Sequence, residues 1–279
     1  MEGTTRRDVV VGIDQSPEAL AAAQYALWQA EKRGLDLVVL HTYSIPAMEA
    51  PLSDAYFTCL REAAQSVVDK VVVELDPPES VRVKTLLQQT APALLLQRAA
   101  ETAQLVVIGQ HHSGWFERLI AGSVVNPLCK NAACPVIIVP RRWQRSWHND
   151  QPVVVALDGQ SAAATALQVA FEEAELQQTA VVALHAMPPE ASAEEVAKQE
   201  RALAELLTGY ERDHPQILVR VRTVAGNPDK ALVQSSQDAA LLVVGAPRGH
   251  RLGSWSRSVA RGVLKQAGCP VAVVPRAGG

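Results

Sequence analysis

Two glycine-bearing segments at either end of a polar loop are the first residues in this chain that could do chemistry. Gly109-Gln110-His111-His112-Ser113-Gly114 follows an apolar run, and Gly122-Ser123-Val124 leads into the next helical stretch. Glycine lets a phosphate oxygen approach the main chain, a helix start offers unpaired N–H groups, and the Ser123 hydroxyl adds a donor. Together they describe a phosphate cradle. The field at a helix end is worth only about 0.3–1 kcal/mol per charge, so affinity has to come from several donors acting at once. The same glycines could equally make tight turns. Upstream, Asp14 and His41 each end an apolar run, and both recur later as Asp158 and His185. A carboxylate capping the following loop or helix accounts for Asp14 as well as a ligand contact does. His41, with no nucleophile near it in sequence, reads as structural. The pair His111-His112 lacks the spaced Cys, Asp or Glu set of a metal site. No Ser-His-Asp order, paired-carboxylate spacing or lysine-bearing P-loop stands out, so no metal and no catalytic machinery are expected.

What must position these residues is a duplicated α/β unit. Val9-Val10-Val11-Gly12-Ile13-Asp14 recurs as Val153-Val154-Val155-Ala156-Leu157-Asp158, and Asp14 to Asp158 and His41 to His185 share one offset of 144. Leu105-Val106-Val107-Ile108-Gly109 answers Leu241-Leu242-Val243-Val244-Gly245, and Cys134-Pro135-Val136 answers Cys269-Pro270-Val271. Loop deletions absorb the slip in offset between the two ends. Within each copy, short β-branched runs alternate with stretches of helical period, the signature of a parallel sheet covered on both faces. The expectation is an α/β fold: two tandem doubly wound domains, each with five parallel strands in flavodoxin-like order 3-2-1-4-5. Domain one spans 1–140, a linker 141–151, and domain two 152–279. In such sheets ligands bind beyond the carboxyl ends of the strands, where Asp14, His41, Thr42 and Gly109 fall.

Local chemistry agrees. Ser16 can cap the first helix, Pro17 suits its first position, and Gly34 ends it. Long helices also fit Asp54 to Leu75 and Ala191 to His214. The linker carries Trp143 and Trp147, expected to pack their indoles against a domain.

A chain of 279 residues suits two cores, and 48% hydrophobic with 20% charged residues excludes disordered and fibrous classes. The 26 basic against 29 acidic side chains leave no electrostatic footprint for nucleic acid or an anionic membrane. No stretch approaches the roughly 18 apolar residues of a membrane helix, and a cytoplasmic protein is expected. Cys59, Cys129, Cys134 and Cys269 form no CxxC and read as reduced core thiols.

These residues resemble the universal stress proteins in their tandem, actinobacterial form. The resemblance rests on the Asp after strand one with a Ser-containing helix start, the Leu-His step ending strand two, and the closing Cys-Pro-Val-hydrophobic-Val-Pro strand of each copy. The nucleotide-binding branch has Gly-x2-Gly-x9-Gly-Ser/Thr, where ATP phosphates are held. The first half keeps Gly109, Gly122 and Ser123 at that span, places His112 at the second glycine, and offers Gly114 two residues later. The resemblance implies that Asp14 contacts ribose or base, that Ser16 is a neighbouring polar contact, and that the Thr42 main chain contacts adenine. It also implies antiparallel pairing of the two closing strands, an intrachain pseudo-dimer, with homodimers and a protein partner further options. The second half has a loop one residue shorter, and Arg248 and Arg257 stand where glycines belong, so nucleotide is expected in the first half. The function expected is binding of ATP or another adenine nucleotide by a stress sensor or regulator with at most slow hydrolysis. The alternative is a nucleotide-free scaffold of the same fold.

Overall fold

The computed structural model describes residues 8–44, 53–110, 125–144, 150–157, 163–246 and 257–275. The chain divides into two compact units, Met1–Arg142 and Trp143–Gly279. Unit one runs β1 (Val9–Gly12), α1 (Pro17–Arg33), β2 (Leu37–Tyr43), α2 (Asp54–Leu75), β3 (Val83–Gln89), α3 (Pro92–Ala100), β4 (Leu105–Gly109), α4 (Val125–Asn131) and β5 (Val136–Val139). Unit two repeats the series as β6 (Val153–Leu157), α5 (Ala163–Gln177), β7 (Val181–Met187), α6 (Ala193–Asp213), β8 (Val219–Ala225), α7 (Pro228–Ser235), β9 (Leu241–Gly245), α8 (Arg257–Gln266) and β10 (Val271–Val274). A 3-10 turn, Ser236–Asp238, extends α7.

Strand order is β3-β2-β1-β4-β5 in the first unit and β8-β7-β6-β9-β10 in the second. Every pairing within these two series is parallel, with Val9 opposite both Leu37 and Leu105, and Val153 opposite both Val181 and Leu241. The order 3-2-1-4-5 expected from the repeat is therefore the order found in both units. It reverses direction at β1 and at β6, which opens a crevice at the carboxyl end of each. The central strands are valine-rich because both of their faces are covered: Val9, Val11, Val106 and Val107 are fully buried.

Helix α1 shows how local sequence sets up the crevice. Ser16 takes an extended conformation and its Oγ accepts the Ala19 N–H, Pro17 starts the helix, and Gly34 at φ 61° returns its N–H to the Ala30 and Glu31 carbonyls. Its buried face is rich in small residues, among them Ala19, Ala22, Ala23, Ala26 and Ala30, together with Tyr25 and Gln29. The alanines' lack of bulk brings the helix axis close to β1 and β4, against which it packs. Helix α2 covers Asp54–Leu75 as the periodicity predicts. Helix α6 begins two residues later than expected, because Ser192 and Glu195 form a reciprocal capping box.

The cysteine expectation holds for Cys129, Cys134 and Cys269 and fails for Cys59, which is exposed on α2. Burial pushes the thiols of Cys129 and Cys269 up to about 12. In the segment read as a linker, the Trp143 indole is buried; Trp147 lies outside the described residues. Among the described residues no helix is long and apolar enough to cross a membrane.

Candidate functional site

At the carboxyl edge of the first sheet, the turn from β1 into α1 is built around one carboxylate oxygen. Asp14 Oδ1 accepts the Ser16 N–H at 2.8 Å and also the Ser16 hydroxyl proton. Ser16 Oγ in turn accepts the Ala19 N–H at 3.2 Å. Its hydroxyl is therefore committed on both sides, so a direct ligand contact from Ser16 would have to displace the cap. Asp14 is half-buried, and among the described residues no partner is recorded for its Oδ2.

Thr42 offers main chain. The Val9 N–H donates to the Asp36 carbonyl and the Ile13 N–H to the Leu40 carbonyl, whereas the Leu37 N–H donates to the Arg82 carbonyl. In a parallel ladder the N–H and C=O of one residue face the same neighbour. Even-numbered residues of β2 thus face β1 and odd-numbered ones face β3. The β1–β2 register ends at Gly12 and Leu40, followed by the Ile13 bond. Thr42, two residues on, directs its main-chain N–H and C=O toward β1 beyond that last rung.

Between these two groups stands His41. Its Nδ1 lies 2.8 Å from the Ile13 carbonyl oxygen. A carbonyl can only accept, so Nδ1 carries the proton and donates, which leaves Nε2 as the lone-pair nitrogen of the neutral ring. His185 makes the same bond to the Leu157 carbonyl at 2.7 Å in unit two. Sequence reasoning placed both histidines at strand ends as structural residues but did not find the partner carbonyl. A usable signal was present, since both pairs are separated by the same 28 residues.

Gly109 and Gln110 close the edge at β4. The Gln110 N–H donates to the Val139 carbonyl at 2.7 Å, matched by Ala246 and Val274 at 2.8 Å in unit two. A Cβ at Gly109 would fall 2.6 Å from the Glu18 carbonyl oxygen, so a glycine is required there by the first turn of α1, independently of any phosphate. Glu18 itself was missed from sequence. It is only 6% exposed, at the helix N-terminus where the dipole favours an anion, and Arg141 Nε lies 4.0 Å from its carboxylate. His112, Gly114, Gly122, Ser123 and Val124, named from sequence as the rest of the cradle, lie outside the described residues, as do His111, Asp158, Arg248 and the side chain of Arg257.

Asp14, Ser16, Thr42 and Gly109 thus meet at the strand-order reversal of the first unit. A family model for the universal stress protein family matches residues 5–140 and again residues 151–275. The chain belongs to the universal stress protein family. Among its relatives, a universal stress protein of Mycobacterium tuberculosis is 31% identical over 290 aligned positions covering 97% of both chains. A universal stress protein of Mycolicibacterium smegmatis is 30% identical, covering 98% of this chain and 99% of that one. The crystal structure of a universal stress protein from Archaeoglobus fulgidus superposes with a TM-score of 0.72 at 20% identity, covering 96% of each chain. As in this chain, the universal stress protein relatives of both mycobacteria extend across the two repeats.

Proposed function

We propose that the first unit binds an adenine nucleotide, ATP or ADP, at its carboxyl edge, and that the protein acts as a stress-response sensor or regulator and not as a turnover enzyme. The observation that supports this reading is that the Asp14 carboxylate and the Thr42 main chain both stand at the carboxyl edge of the first sheet, at the ends of the neighbouring strands β1 and β2. One is an acceptor for ribose or base hydrogens, and the other is a donor and acceptor for an adenine edge, both at the crevice where such sheets take ligands. The loop from Gly109 to Ser123 would hold the phosphates, with His112 in a glycine's place able to pair with them when protonated. The expected site is Asp14, Thr42, Gly109, His112, Gly114, Gly122, Ser123 and Val124, with Ser16 acting through Asp14.

Calorimetry with ATP tests the reading, and a mass spectrum of the supernatant from freshly purified, denatured protein identifies a ligand carried through purification. One site per chain is expected. Turnover above about 1 s⁻¹, in the ordinary enzyme range, would overturn the assignment as a binding protein.

A second reading, a nucleotide-free interaction scaffold, is favoured by one observation: Glu18, whose main chain and Cβ lie against Gly109, is a buried acidic residue at the edge where phosphates would sit. Absence of any heat with ATP or ADP would select this reading.

A further inference from the structure

We infer that His41 is a positioning residue of the first-unit site, setting the spacing between the two groups that would grip the nucleotide; this rests on the nucleotide reading above. His41 precedes Thr42 in the chain, and the Ile13 carbonyl it binds belongs to the residue preceding Asp14. The 2.8 Å bond therefore joins the carboxyl ends of β2 and β1 one residue before each proposed ligand group. The last ladder bond between these strands is Ile13 to Leu40. Past it, the His41 ring is what fastens the β1 end to the β2 end among the described residues.

Without that fastening, the Ile13–Asp14 peptide loses the tie of its carbonyl to β2 and is held on the α1 side alone, through the Asp14–Ser16 bonds, and a shift there moves the Asp14 carboxylate with respect to the Thr42 main chain. A ligand touching both groups registers the change, whereas one touching neither does not. An asparagine at the same position presents an amide N–H at the reach of Nδ1 and keeps the donor, whereas leucine removes it at similar bulk. The second unit supplies an internal control, because His185 makes the matching bond to Leu157 at 2.7 Å in the half where arginines replace the loop glycines.

The test uses the full chain with ATP as probe in calorimetry, alongside thermal unfolding of His41→Leu, His41→Asn and His185→Leu. The expected result is a tenfold or larger loss of ATP affinity in His41→Leu, recovery to within about threefold in His41→Asn, and less than a twofold change in His185→Leu. The two leucine variants should lose comparable thermal stability. Unchanged affinity in His41→Leu, or an equal loss in His185→Leu, overturns the positioning role while leaving nucleotide binding in place. Failure of the unaltered chain to bind ATP overturns the nucleotide reading and this role together. Should His41→Leu not fold, His41→Asn decides: parent-like affinity upholds the donor argument, and a tenfold loss refutes it.

Discussion

The α-carbon of Gly109 and the carbonyl of Glu18 approach so closely that a single methyl on the glycine would lie 2.6 Å from the carbonyl oxygen and 2.7 Å from its carbon. Both obstructing atoms are main chain in a capped helix, so neither can rotate away. The contact puts the end of β4 directly against the first turn of the helix that follows Asp14.

Gly109→Ala is accordingly expected to cost about 1–3 kcal/mol through overpacking. Urea denaturation without nucleotide measures it. A variant as stable as the parent would show that α1 shifts freely and that the glycine serves only a ligand.

Asp14→Asn separates the two duties of one side chain. The amide oxygen can still accept from Ser16, so the helix cap and the stability should be kept within about 0.5 kcal/mol, the range of ordinary surface substitutions. ATP affinity should fall roughly tenfold, because the charged acceptor is gone. Ser16→Ala should do the opposite, lowering stability by about 1 kcal/mol through the lost cap with a smaller effect on binding. Paired unfolding and calorimetry measurements on both variants check the division.

Thiol titration should count one reactive cysteine in the native protein and four in denaturant. Cys59 is exposed, whereas Cys129, Cys134 and Cys269 are buried, and burial lifts the Cys129 and Cys269 thiols to about 12, far from the reactive thiolate. Rapid native labelling of two or more thiols would contradict the packing around β5 and β10.

Lys84 on β3 reaches back to Asp8 at 2.8 Å and Asp36 at 3.1 Å. Hydrogen bonds to those carboxylates, Asp8 first, hold its ammonium above the ordinary lysine value of 10.5. With the folded value raised, the stabilisation is fully present below about 10.5 and fades as pH rises through the folded value. Because the side chain is 45% exposed, Lys84→Met should cost well under about 1 kcal/mol at neutral pH. The difference should shrink in high salt and above pH 10.5, which denaturation at several pH values reads directly.

Much of the fold was legible because it is written locally and twice. The offset of 144 aligns strands without any structural knowledge, Ser16-Pro17 and Gly34 bracket α1 by their own backbone preferences, and the valine runs announce strands covered on both faces. The site was legible only where one residue does its work with near neighbours, as Asp14 does with Ser16. Gly109 reads from sequence as a phosphate glycine alone, and its packing against Glu18 is not legible because that residue is 91 positions away. Glu18 was overlooked for the same reason: an acidic residue in a first helical turn ordinarily points to solvent, and only the packing of α1 on β4 buries it. Cys59 was placed in the core by residue type, although the face of α2 on which it lies is outward.

The histidine fastening has a consequence for how each half assembles. Its two ends are 28 residues apart in both units, while the strand on the other side of β1 must be recruited from Leu105, paired with Val9. Loop-closure entropy grows only slowly with length, by roughly 0.6 kcal/mol per doubling, but contacts between distant segments still form late and slow the search. A strand–helix–strand segment that carries its own terminal clasp completes itself from short-range contacts. It then stands as a preformed template, one edge of β1 satisfied and the other open, for β4 to dock upon. Duplication has given the chain two such templates, so each half can begin folding without waiting for the other.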